Sequence, residues 1–210
     1  MGAYGSAGIH RHVWVVGEEW SGICRAGIFL FSCCFSCTIF SGPLFFPFLL
    51  KGKKPGCRVA IMAMGIVFNL LNGMMQAGGL FYFAPEGLYA DGWAYLLKPH
   101  ALLGVILFFA GMFINLHSDY VIRHLRKPGD TKHYLPGKGL YRYVTSANYF
   151  GELVEWTGFA ILTASPAAWV FVWWTFANLV PRADAIHCHY REEFGDEAVG
   201  KRKRIIPFLY

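Results

Sequence analysis

The sequence predicts an all-α integral membrane protein, a multi-helix transmembrane bundle of about five to six helices. Composition is the first observation behind this. Of 210 residues, 55% are hydrophobic and 15% charged, whereas a soluble domain carries roughly a quarter charged residues. Mean hydropathy is +0.38. The second observation is the length of the uncharged runs. Segments 26–50, 59–85 and 99–118 lack Asp, Glu, Lys and Arg, and a helix needs about 20 apolar residues to cross a bilayer. The third is the placement of charge between those runs.

Taken in order, residues 1–43 form a divergent N-terminal segment, with one short helix (13–24) and the start of the first clear transmembrane helix. The opening Met1-Gly2-Ala3-Tyr4-Gly5 does not read as a cleaved secretory signal, because no basic stretch leads into an apolar core. Cys33, Cys34 and Cys37 lie inside the first apolar run and read as small lipid- or core-facing residues, with no paired spacing that suits a metal. The fourth uncharged run, 156–181, is interrupted at Thr163-Ala164-Ser165-Pro166. Proline lacks the helix donor and disfavours helix at the residue before it. A tight turn is therefore predicted between helices at about 144–164 and 166–185.

Charge sets the orientation. Lys51, Lys53, Lys54 and Arg58 fill one loop; Arg123, Arg126, Lys127, Lys132, Lys138 and Arg142 fill another; the C-terminal tail adds Arg191 and Lys201-Arg202-Lys203-Arg204. The loop 85–98 between them holds Glu86, Asp91 and Lys98. This alternation places the basic loops and the C-terminus on the cytoplasmic side. The net charge of +6 then reflects topology and contact with membrane lipid. Nucleic acid is not an expected partner, because the basic residues are split between loops and form no groove-binding motif.

One charged stretch carries more information than the rest. On a helix turning about 100° per residue, Asn115, Asp119, Arg123 and Arg126 fall near 0°, 40°, 80° and 20°. Guanidinium forks grip phosphate in bidentate fashion, so an acid and two arginines in line suit a phosphorylated, ribose-bearing ligand. Arginines alone would equally suit a helix end extending its charges to the membrane surface. Asn148, Glu152 and Glu155 share a second face, at about 0°, 40° and 340°. Carboxylates inside an apolar helix are costly unless paired or facing water, so both should point into the bundle, Glu155 either at a ligand or as a structural partner. Arg182 and Tyr190 share a third face, and His187 and His189 lie close by. Three helix ends bearing these groups can converge on one polar pocket.

Several long motifs then carry a family resemblance. Ile114-Asn115-Leu116-His117-Ser118-Asp119-Tyr120 followed by Leu125-Arg126-Lys127-Pro128-Gly129 resembles the steroid 5α-reductase family. So do Pro136-Gly137-Lys138-Gly139-Leu140-Tyr141, Tyr143-Val144-Thr145-Ser146-Ala147-Asn148-Tyr149-Phe150-Gly151-Glu152, Glu155-Trp156, and the closing Arg204-Ile205-Ile206-Pro207-Phe208-Leu209-Tyr210. The resemblance covers residues 44–210 as one membrane domain, starting with Phe46-Pro47-Phe48-Leu49-Leu50 and including Asn72-Gly73 and Gln76. It implies a multi-pass endoplasmic reticulum membrane reductase that uses NADPH to deliver hydride to the C4–C5 double bond of a 3-oxo-Δ4 steroid. It also implies that Asn115, Asp119, Arg123, Arg126, Asn148, Glu152, Arg182 and Tyr190 hold the cofactor. A steroid or other lipid enone is the expected substrate, with no metal and no obligate protein partner.

The first quarter departs from that pattern. Trp14-Val15-Val16-Gly17-Glu18-Glu19-Trp20 can be laid on the family motif whose glutamate polarises the steroid 3-ketone. That puts Glu18 in the catalytic position, with Gly17 replacing the family glutamine. The partner tyrosine falls on Ile39, and the histidine expected four residues after Arg182 is Ile186. Two alternatives therefore stand beside steroid reduction. One is a related polyprenol or enoyl reductase. The other is a catalytically impaired, truncated isoform that only binds NADPH. A methyltransferase with a similar membrane bundle is more distant.

Overall fold

A computed structural model describes the backbone of residues 55–125 and 133–210, with side chains from 63 onward in the first stretch. Glu18, Ile39, the apolar run 26–50, the basic loop around Lys51, the three early cysteines and Arg126 lie outside the described residues. Within them the chain is helical, without strands. The contacts separate into two units, residues 1–98 and 99–210.

In the first unit, α1 (Pro55–Ala77) runs into a wider π-helical turn, Gly78–Tyr82, and a 3-10 turn follows at Gly92–Leu97. Helix α1 is apolar on the outside: Met64, Leu70, Leu71 and Met74 are exposed, whereas Asn72 and Gln76 are buried. Those two polar residues, one turn apart, satisfy each other in part through Gln76 Nε2 donating to Asn72 Oδ1 at 3.3 Å. Tyr89 and Tyr95 close the loop that follows, packed edge to face at 4.9 Å, a geometry that aromatic quadrupoles favour.

The second unit contains α2 (Pro99–Arg123), a 3-10 turn (Gly139–Arg142), α3 (Ala147–Thr163), α4 (Pro166–Phe194) and the single turn α5 (Asp196–Val199). Among the described residues, α2 is the one helix long and apolar enough to cross a membrane, with a window hydropathy of 1.9. The turn predicted at Pro166 is present. Ala164 adopts a left-handed conformation (φ 48°) to end α3, and Pro166 starts α4 at a position where its missing N–H costs nothing.

Two boundaries differ from the sequence expectation. Helix α3 begins at Ala147 rather than near 144, because the preceding residues pair with the C-terminal tail: Lys203 N donates to Tyr143 O at 2.8 Å and Thr145 N to Lys203 O at 2.9 Å. Helix α4 continues through Pro181 to Phe194, well past 185. The polar residues after Arg182 end the apolar run without ending the helix.

Helices α2 and α3 run antiparallel in backbone contact. A Cβ added to Gly104 would lie 2.5 Å from Leu162 N and 2.8 Å from Gly158 O; one added to Gly151 would lie 2.6 Å from Asn115 N and 2.8 Å from Gly111 O. Glycines at 104 and 111 on one helix and at 151 and 158 on the other thus form a seam that no larger residue permits. Without a hydrophobic driving force between helices in lipid, small residues of this kind let close packing supply the adhesion.

The tail locks the other side. Ile205 is fully buried in a cluster with Leu153, Leu179 and Ala183. The Thr145 hydroxyl donates to Arg204 O at 3.2 Å. The Arg204 side chain forms an ion pair with Asp184 and lies over the Tyr210 ring.

Candidate functional site

The last turn of α2, the 3-10 turn, the first turns of α3 and the second half of α4 carry the polar groups that converge. Val121, Tyr141, Val144 and Ala147 form the apolar floor that packs these elements together. Above it, the Asp119 and Arg182 charges both act on Glu152, and the same three groups act on Tyr149. Tyr141 feels Asp119 and Tyr190 and its hydroxyl donates to Asn148 Oδ1 at 3.5 Å, the limit of a hydrogen bond. Asp119, Tyr141, Asn148, Tyr149, Glu152, Arg182 and Tyr190, from four elements, therefore share one electrostatic neighbourhood.

Exposure grades along the predicted α2 face. Asn115 is buried, Asp119 half-buried and Arg123 exposed. Arg123 Nη2 lies 3.7 Å from Asp119 Oδ2, one turn apart, and an exposed pair of this kind is worth at most about 1 kcal/mol. A phosphate-bearing ligand could therefore displace this contact at little cost. Asn115 sits deeper, in the glycine seam, with its side chain facing Glu155. Glu155 is fully buried, its carboxyl set against the Asn115 side chain, and a carboxyl so placed is costly unless a donor of this kind serves it.

Burial pushes the Tyr141 phenol well above its ordinary pKa, and the Asp119 and Tyr190 charges add to the effect. Tyr141 therefore keeps its proton, which it directs from the buried floor toward Asn148. The neighbourhood thus presents one guanidinium, an amide, phenols and two carboxylates. That set can bind a cation-seeking phosphate, a ribose hydroxyl and a carboxamide together.

Of the expected site residues, the structure brings together Asp119, Asn148, Glu152, Arg182 and Tyr190. Asn115 lies one turn deeper and Arg123 at the exposed edge. The two histidines near Arg182 are engaged elsewhere. His187 is buried, with Nδ1 3.4 Å from Thr145 Oγ1 beside the tail, and His189 pairs with Glu193. Tyr141 and Tyr149 were not anticipated. Tyr149 was within reach of the sequence, since it precedes Glu152 by three residues on the same helix. Tyr141 enters from outside the helix and has no periodic signal.

Among the described residues, an all-helical arrangement with a mixed-charge cluster toward the ends of three helices is the class these features define. The model of the 3-oxo-5-alpha-steroid 4-dehydrogenase family matches residues 56–210, and the chain belongs to that family. It is similar to 3-oxo-5-alpha-steroid 4-dehydrogenase 1 of Homo sapiens, at 44% identity over 80% of this chain and 62% of the relative. It is also similar to 3-oxo-5-alpha-steroid 4-dehydrogenase 2 of Homo sapiens, at 40% over 77% and 61%. Steroid 5-alpha-reductase DET2 of Gossypium hirsutum is 40% identical over 72% and 57%. The chain spans about three-fifths of the length of these relatives.

Proposed function

We propose that this chain is a multi-pass membrane enzyme of the endoplasmic reticulum that reduces the C4–C5 double bond of 3-oxo-Δ4 steroids with NADPH, its C-terminus in the cytoplasm. Residues 44–210 form the domain that carries the reaction. The observation that carries the reading is the convergence of Asp119 from α2, Asn148 and Glu152 from α3, and Arg182 and Tyr190 from α4, in a chain whose family match covers all of them. Membrane residence is supported by α2 and by large apolar side chains left exposed on three helices, among them Met74, Phe113 and Trp173. Such patches mark contact with lipid or another apolar partner.

The donor chemistry fits NADPH. A nicotinamide carboxamide needs an acceptor for its N–H groups and a donor for its oxygen; Glu152 provides the first and the Asn148 amide the second. Asp119 accepts from a ribose hydroxyl. Arg123, Arg126 and Arg182 are assigned to the phosphates, and Tyr190 to the same cofactor. Asn115 steadies this wall from within the α2–α3 seam. When bound, NADPH supplies the hydride; the chain's own residues bind it, orient it and keep water away. Glu18 is assigned to the steroid 3-ketone, where a donor would stabilise charge developing on that oxygen. The substrate is a steroid or a closely similar lipid enone.

Reconstituted protein incubated with NADPH and a radiolabelled Δ4-3-ketosteroid tests this. A 5α-reduced product is expected. NADPH binding without product would overturn the catalytic half of the proposal and leave a cofactor-binding protein.

A further inference from the structure

Away from the cofactor wall, the end of α4 and the segment entering the 3-10 turn meet in a cluster whose ligand atoms match no requirement of steroid reduction. His189 and Glu193 are one turn apart on α4, and His133 approaches them from the segment 133–138. Glu193 divides its carboxylate between the two rings, with Oε1 2.8 Å from His133 Nδ1 and Oε2 3.3 Å from His189 Nε2. The three ligand atoms lie within 4.8 Å of one another. We propose that His133, His189 and Glu193 form a binding site for a zinc-class divalent cation.

The geometry needs little adjustment. Zinc bonds of about 2.0–2.2 Å at tetrahedral angles put ligand atoms about 3.4 Å apart. Whichever carboxylate oxygen serves, its separation from one ring nitrogen is already inside that distance, 2.8 Å for Oε1 and 3.3 Å for Oε2; the remaining separations are within 4.8 Å, and His133 and His189, more than half exposed, have room to close them. Two imidazoles with one carboxylate suit Zn²⁺ rather than Mg²⁺ or Ca²⁺, which favour all-oxygen sites. Exposure leaves the fourth position for water.

The backbone under the cluster is pinned on both sides. Gly195 N donates to Arg191 O at 3.0 Å to close α4, and Arg202 Nη1 donates to Pro136 O at 2.9 Å to hold the 133–138 segment. A bound cation would join that segment to α4 next to Tyr190, stapling the chain that leads into the 3-10 turn to the helix that carries Arg182 and Tyr190. The sequence alone hid this site, because His133 and Glu193 are 60 residues apart and only the i,i+4 pair His189–Glu193 is local.

The chelator-stripped 210-residue chain in detergent, titrated with Zn²⁺ alone by calorimetry, tests the site directly and does not depend on steroid turnover. A saturable site is expected, weakened about tenfold or more by His133→Gln or His189→Gln, since loss of a mere supporting partner already costs about 10–100-fold. Co²⁺ in place of Zn²⁺ separates this site from the chain's six cysteines. His189→Cys should retain binding and add a thiolate charge-transfer band absent from the unmodified site. No Zn²⁺ binding, or binding unmoved by both glutamine variants, overturns the proposal.

Discussion

Replacing Gly151 by alanine tests whether the glycine seam sets the cofactor wall. The added Cβ would lie 2.6 Å from Asn115 N and 2.8 Å from Gly111 O, against 3.4–4 Å for ordinary contact. Both obstacles are backbone of α2, so no side-chain rotation relieves them and the helices must part by about 0.8 Å. Overpacking of this kind costs about 1–3 kcal/mol. For a chain of this size that corresponds to a fall in Tm of about 2–12 °C. The site should suffer beyond this, because Asp119 rides on α2 while Asn148 and Glu152 ride on α3, and a misplacement of about 1 Å can cost 100-fold in a positioned site. Detergent-solubilised Gly151→Ala is therefore expected to show a lower Tm by scanning fluorimetry and NADPH binding weakened more than tenfold at a temperature where it remains folded. Gly65→Ala on α1 is the control: a Cβ there meets nothing within 4 Å, and removing a glycine from a helix interior should stabilise by about 0.5–1 kcal/mol. An unchanged Tm and NADPH affinity in Gly151→Ala would refute the reasoning; so would equal loss in the Gly65 control.

Arg126→Ala should weaken NADPH binding markedly with little change in Tm, and an unaltered Kd would remove Arg126 from the proposed phosphate contacts. Tyr141→Phe deletes only the hydroxyl that reaches Asn148 and should weaken NADPH by about 0.5–1.5 kcal/mol, read as a shift of about 2–13-fold in Kd. Glu18→Gln should abolish steroid reduction while leaving NADPH affinity intact; full turnover would show that the ketone is polarised by another group. Ile205→Ala opens a cavity in the fully buried cluster with Leu153, Leu179 and Ala183 and should lower stability by about 2–5 kcal/mol, measured by thermal unfolding.

Local signals account for the parts of the fold that the sequence made legible. An uncharged run opening with Pro99 became α2, and the proline at 166 fell where the backbone turns. The start of α3 was not legible, because Tyr143–Ser146 are claimed by residues 203 and 204 of the tail, some 60 positions away. The end of α4 was missed for another reason. Apolar periodicity reports where a helix is immersed, not where its hydrogen bonds stop, so polar residues from Arg182 onward concealed about two and a half further turns, from 185 to Phe194.

The same division explains the site. Asp119 with Arg123, and Asn148 with Glu152, are visible as pairs one turn apart on single helices, and their spacing was enough to place them on common faces. What brings those faces together is not visible in either helix alone. Gly104 and Gly111 are seven residues apart, as are Gly151 and Gly158, but a glycine pair is informative only when its partner pair lies opposite. Once they are opposed, backbone contact brings Asn115 against Gly151 and Gly111 against Glu155. Glu155, buried beside Asn115, and Glu152, under the Arg182 and Asp119 fields, then sit one turn apart at the seam's polar end. The residues of the cofactor wall are thus chosen by charge, but the distances between them are set by four glycines that carry no charge at all.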